Sequence, residues 1–258
     1  MFDSRDFLRQ AQVSGRLSEI EMSGVYLLNE WQSKVHDIKR THAYAYASKT
    51  MEALRETANA VAAANNCIAA TSDTVKGMAR ATEKVMEFGE GTYNGDWWAI
   101  KDLARCTIAV NDDTQGEKVF QDCINKFFIA SNGWSVREQK RKKSDPKGYS
   151  DWKVIVSKNG SLAEVQINTK NLLYAKDLPF FRAVCPGEEA AMKAKYMPVP
   201  GGIGHLLYEW SRVPGPRSQT AEALGLRYYA HFRTPNVVQA WKLFEDILKM
   251  GINPAQIH

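Results

Sequence analysis

No apolar run in this chain is long enough to span a bilayer, so insertion of these residues into a membrane is not expected. The opening Met1-Phe2-Asp3-Ser4-Arg5-Asp6 is charged and has no apolar centre, which argues against a cleaved secretory signal. Cysteine is sparse. Cys67, Cys106, Cys123 and Cys185 stand far apart, without a Cys-x-x-Cys pair or a histidine at ligand spacing. A disulfide framework and a zinc site are therefore set aside, and reducing cytoplasm is the expected compartment. Proline is missing between residues 2 and 88, and the sequence holds neither an internal repeat nor a low-complexity tract. Net charge is modest at +5, too small to define the whole surface but unevenly spread.

What is present is a chain of 258 residues with 44% hydrophobic content, enough for one large or two small domains with a buried core. The proline-free stretch is helical in character. Apolar residues recur at Leu17, Ile20, Met22, Val25, Leu28 and Trp31, and an Ala-rich tract follows from Ala58 to Ala70. Alanine supplies little apolar area, so a set of closely packed helices or a partner surface is implied. Thr71, Ser72 and Asp73 are candidate caps for a further helix through Glu83, ending near Gly89 or Gly91.

After Asn94-Gly95-Asp96 the pattern turns to strands. Ala104 to Val110 reads as a strand, Gln115 to Ala130 as an amphipathic helix, and Trp134 to Gln139 as a second strand after the break Asn132-Gly133. Asp151 to Lys158 and Leu162 to Asn168 flank Asn159-Gly160, a hairpin signal. Helices are expected again over Asn171 to Lys176, Glu188 to Tyr196, His205 to Trp210 and Val237 to Lys249, with Pro198, Pro200, Pro214 and Pro216 marking loops. Helices, then strands, then helices make this an α+β chain.

Alternation gives the hairpin two unlike faces. Trp152, Val154, Val156, Ala163, Val165 and Ile167 form an apolar side, while Asp151, Lys153, Glu164, Gln166 and Asn168 form a polar one. Such a polar side is either simply solvated or a place for a ligand. Three further groups bear on that choice. Lys76, Arg80 and Lys84 recur every four residues, which on a helix aligns three cations as a polyphosphate would require, or as a solvated face would carry. Asp102 enters the strand Ala104 to Val110 at a position from which a carboxylate can hold Mg²⁺, with Arg105 close behind. Gly148-Tyr149 follows a basic run of Arg137, Lys140, Arg141, Lys142, Lys143 and Lys147. Glycine there permits close backbone approach, and tyrosine offers a flat surface for a base.

In order and spacing these pieces resemble the synthetase domain of the RelA/SpoT alarmone synthetases. The shared frame is the Lys-rich segment Lys76 to Lys84, then Asp102-Leu103-Ala104, then Gly148-Tyr149, then Glu164-Val165-Gln166-Ile167-Asn168-Thr169. The resemblance covers roughly Ser72 to Arg212. It implies a nucleotidyltransferase-like mixed or antiparallel sheet flanked by helices, and three parts: an N-terminal helical segment at 1–71, the synthetase-like domain at 72–213, and a C-terminal helical extension at 214–258.

The resemblance also implies an activity, transfer of the β,γ-pyrophosphate of ATP to the 3′-hydroxyl of a purine nucleotide. Asp102 and Glu164 would be the catalytic carboxylates and hold Mg²⁺. Lys76, Arg80, Lys84 and Arg105 would bind ATP, and Tyr149, Gly148, Lys140, Lys147 and Gln166 the acceptor. Family members usually carry Arg where this chain has Thr107 and Asn168, and Ser-x-His where it has Asp151-Trp152-Lys153. Those departures spare the carboxylates and leave the acceptor open: a guanosine or adenosine nucleotide, or the 3′ end of tRNA reached through the basic run. A non-catalytic nucleotide-binding module is the other reading. The pattern is that of small or toxin-type relatives, so a neutralising antitoxin or immunity protein is an expected partner. His36-Asp37 and His42 lack the further ligands that a metal-dependent hydrolase needs, and no hydrolase is expected.

Overall fold

A computed structural model describes residues 19–86, 93–142, 148–212 and 214–253. It divides into two units, Met1–Ala45 and Tyr46–His258. Instead of several packed helices, residues 19–65 of the proline-free stretch form one helix, α1 (Glu19–Asn65), which runs through the unit boundary. In the first unit, Leu28, Trp31 and Ile38 are exposed along it.

In the second unit α1 buries Met51, Leu54, Ala58 and Val61, a spacing of three or four that marks one helical face. Asn66, at φ 50°, ends the helix in a left-handed turn that asparagine tolerates. The chain then forms β1 (Ile68–Thr71), inside the tract expected to be helical. The reason is non-local: all four residues pair with β2 (Ala104–Val110), and sheet pairing overrides the helical preference of alanine.

The remaining elements are α2 (Met78–Met86), α3 (Asp113–Asp122), β3 (Ser135–Lys140), β4 (Trp152–Lys158) and β5 (Ser161–Thr169). Six helices close the described chain: α4 (Lys170–Lys176), α5 (Leu178–Val184), α6 (Glu189–Tyr196), α7 (Gly204–Arg212), α8 (Pro216–Arg233) and α9 (Val237–Lys249). The helix expected over Gln115 to Ala130 stops at Asp122, where a π-helical turn, Cys123–Phe127, takes over. Helix α5 is not among the expected helices, and α8 falls within the expected C-terminal helical extension although Pro216 there reads as a loop. Each has proline in its first turn, where the missing N–H costs nothing, so the residue that reads as a loop is in these places a helix start.

The five strands form one mixed sheet in the order β1-β2-β5-β4-β3, with β2 and β5 parallel and the other pairs antiparallel. Its apolar face packs on α1 and α3 through Cys106, Ile108, Val110, Val119, Phe120, Trp152, Val154, Val165 and Ile167. Burial of each large aliphatic side chain there contributes about 1.5–3 kcal/mol. A second core joins α4 to α9 around Tyr174, Phe181, Tyr196, Tyr228 and Phe232 and touches the sheet at Ala109. The polar face is thus roofed by C-terminal helices, and a cleft is left between them. Among the described residues no helix is long and apolar enough to cross a membrane.

Candidate active site

Register fixes which side chains share the polar face. Arg105 on β2 lies beside Glu164 on β5, Thr107 beside Gln166, and Gln166 beside Lys153 on β4. A cleft of about 460 Å³ opens over them, lined by Lys76, Arg80, Lys84, Asp102, Arg105, Lys140, Tyr149, Asp151, Lys153, Gln166 and Lys176. A second cleft of about 960 Å³ adjoins it and reaches β1, Arg55 and Phe180. The two share Lys76, Arg80, Asp102, Arg105, Gln166, Lys176 and His205. Nearly all the residues expected to act on ATP and acceptor therefore meet at one place.

The cationic ridge is built differently from a helix face. Helix α2 begins only at Met78, because Lys76 is held in a loop by its N–H donating to the Leu103 carbonyl at 2.8 Å. Lys76 and Lys84 nonetheless converge, donating to Asp102 Oδ2 at 2.6 and 2.8 Å. Arg80 turns away to Glu83 at 3.0 Å and to Glu209 on α7 at 3.8 Å. Burial pushes the Asp102 carboxyl up, but the two lysines outweigh it and hold it below the ordinary aspartate range.

Glu164 is held from both sides. Gln166 Nε2 donates to its Oε1 at 2.6 Å, and Lys153 Nζ stands 3.6 Å from Oε2 and 3.7 Å from Asp151 Oδ2. The Gln166 amide is thus committed to orienting Glu164. Burial works to lower the Lys153 ammonium, yet Glu164 and Asp151 raise it overall. Asp151, 2% exposed, is pushed up by burial, against the pull of Lys153 and Lys176.

Tyr149 donates to Asn168 Oδ1 at 2.6 Å, its ring lies edge-on to Tyr229 at 5.5 Å, and Lys176 Nζ sits 4.6 Å from its centroid. The strand entry beneath it is clamped by α8. Arg233 donates to the Gly148 carbonyl and, at 2.9 Å, to Ser150 Oγ. Gly148 has φ +85°, and a Cβ there would fall 2.8 Å from Leu226 Cα and 2.9 Å from the Gly225 carbonyl. Its close approach is to a helix backbone. Gly148→Ala is expected to cost about 2–3 kcal/mol, from strained φ plus overpacking, and to lower the thermal midpoint measurably.

Lys140, on β3, lines the smaller cleft, whereas Lys147 lies outside the described residues. The Gly-rich segment before α7 serves packing. A Cβ on Gly201 would meet the Tyr174 ring at 2.6 Å, and one on Gly204 the Tyr229 ring at 2.7 Å. Sequence reading gave no role to Lys153, Lys176, Arg233 or Tyr229. Lys153 was legible as a polar-face residue by alternation, but the other three lie on helices and reach the cleft only through tertiary packing.

Asp102 Oδ1 is buried and has no hydrogen-bond partner among the described residues. With Glu164 it offers hard oxygen donors of the kind Mg²⁺ takes when substrate phosphates and water complete its shell, so the residues fit that ion. No group of three or more His, Cys, Asp or Glu side chains that could hold a metal occurs among the described residues.

No family model matches the chain. Over 156 residues it is 33% identical to the (p)ppApp synthetase toxin Tas1 of Pseudomonas aeruginosa (strain UCBPP-PA14), a match covering 59% of this chain and 34% of the other. The chain thus spans about a third of the length of that curated relative. Among solved structures, the Type VI effector Tas1 in complex with its immunity protein aligns with TM-score 0.62 and 28% identity, over 75% of this chain and 96% of that one. Small alarmone synthetase 1 from Bacillus subtilis is more remote, at TM-score 0.44 and 14% identity over 86% of this chain and 96% of that one.

Proposed function

We propose that this chain, a RelA/SpoT-type alarmone synthetase domain, transfers the β,γ-pyrophosphate of ATP to the 3′-hydroxyl of a purine nucleotide, preferring an adenosine acceptor. The observation that carries the reading is the convergence of Lys76, Lys84, Asp102, Arg105 and Tyr149 on one cleft, with Glu164 held beside its lining residues Gln166 and Lys153. The likeness to a (p)ppApp synthetase toxin supports adenosine over guanosine.

In the reaction the acceptor 3′-oxygen attacks the β-phosphorus of ATP, a new O–P bond forms, the bond between the α–β bridging oxygen and the β-phosphorus breaks, and AMP leaves. Glu164, oriented by Gln166 and Lys153, receives the proton of the attacking hydroxyl. Lys76 and Lys84 exchange Asp102 for the phosphates of ATP, and Arg80 and Arg105 add charge around them. Tyr149 positions the acceptor base. Asp102 and Glu164 would hold Mg²⁺, which when bound would supply further neutralisation of phosphate charge. Little covalent work falls to the protein, so positioning and electrostatics dominate.

We further infer that the chain acts as a toxin in the cytoplasm of a target cell and is neutralised by an immunity protein, a reading supported by the likeness to an effector crystallised with one. Purified protein, Mg²⁺ and γ-labelled ATP are mixed with AMP, ADP, ATP, GDP, GTP or tRNA and the products resolved. Labelled adenosine products are the expected outcome. Label confined to guanosine products or to tRNA overturns the acceptor, and nucleotide binding without any transfer overturns the enzyme.

A further inference from the structure

Lys176, the last residue of α4, carries an ammonium that no carboxylate pairs with among the described residues. Its contacts are the Tyr149 hydroxyl at 3.2 Å and the face of the same ring. The charges around it are mixed. Asp151, just before β4, and Glu164 on β5 attract it from beyond ion-pairing distance, while Arg105 on β2 and Lys153 on β4 repel it. Burial is the largest influence on it and disfavours its charged form.

The other ammonium groups at the centre of the cleft are already matched. Lys76 and Lys84 share Asp102, and Lys153 stands between Asp151 and Glu164. A partly covered cation left without a counter-ion is a cost to folding, and an anionic ligand offsets it. The position identifies the anion. Lys176 lines both clefts, beside Asp102, Arg105 and Gln166, at the junction where two nucleotides meet if each takes one cleft.

We propose that Lys176 is a polyphosphate-binding residue at this junction and contacts the oxygens of the phosphoryl group in transfer. The assignment of the transferred group rests on the synthetase reading above, whereas the affinity for polyphosphate does not. Lys176 then supplies, from a helix, positive charge at the point where the strand residues Thr107 and Asn168 have none.

The test uses the full chain with Lys176→Met and Lys176→Arg. Isothermal titration with inorganic triphosphate and with α,β-methylene-ATP is compared with turnover and thermal midpoint. Lys176→Met is expected to bind triphosphate about tenfold or more weakly and to turn over about a hundredfold more slowly, with an unchanged or higher midpoint, since an uncompensated charge has been removed. Lys176→Arg should recover most of the binding. Equal triphosphate binding by wild type and Lys176→Met overturns the proposal, as does a loss that follows a lowered midpoint and is not rescued by arginine. If the wild type transfers label to no acceptor, the synthetase reading falls while the triphosphate titration still decides Lys176.

Discussion

Glu164→Gln is expected to reduce pyrophosphate transfer by about three orders of magnitude or more while shifting the thermal midpoint by no more than about two degrees. The amide is isosteric, and its carbonyl can still accept from Gln166, which donates at 2.6 Å in the wild type. Lys153 keeps Asp151 as a counter-ion. What is lost is the negative charge and the capacity to take a proton, which matter to the reaction rather than to the fold. Steady-state transfer measured beside a melting curve separates the two. Retention of a tenth or more of the activity would remove Glu164 from the chemistry.

Asp102→Asn is expected to abolish transfer as fully and to cost stability as well, about 1–3 kcal/mol. Its Oδ2 is the shared acceptor of Lys76 and Lys84, and substitution leaves two partly covered ammonium groups facing an amide. The same change should improve one property. Without Mg²⁺, the variant is expected to bind inorganic triphosphate about tenfold more tightly, because phosphate no longer competes with a carboxylate for the two lysines. The stability difference is also pH-dependent. A carboxyl held below its unfolded value, about 3.9, contributes stability that is present above that pH and lost as pH falls through the folded value. Wild type and variant should therefore converge in acid, as melting curves across pH would record.

Both carboxylates are legible from sequence: Glu164 is placed on the polar face by strand alternation, whereas Asp102 lies before β2 and is marked by its position at the strand's entry. The strands Ala104–Val110 and Trp152–Lys158 and the turn at Asn159-Gly160 follow from period-two patterning and local turn chemistry. The same holds for α9, whose apolar residues repeat at helical spacing. What local pattern cannot carry is pairing at a distance. Strand β1 is four residues, Ile-Ala-Ala-Thr, with no period of its own, and it is a strand because β2 lies beside it. Lys76 departs from the ridge because its backbone bonds to Leu103 instead of continuing α2. Lys176 and Arg233 belong to no motif, and their place at the cleft is a property of how α4 and α8 pack on the sheet.

Arg233 reaches back 85 residues to the Gly148 carbonyl and 83 to the Ser150 hydroxyl. Synthesis runs from the N-terminus, so every strand of the sheet is made by Thr169 while the clamp on the Tyr149 segment is made only with the end of α8. Order of manufacture and order of competence therefore differ. The residues of the carboxylate side of the cleft are all made before the arginine that holds the Tyr149 side in place. On the proposed toxin reading, that delay is a period in which the proposed immunity protein can engage the chain before the first turnover.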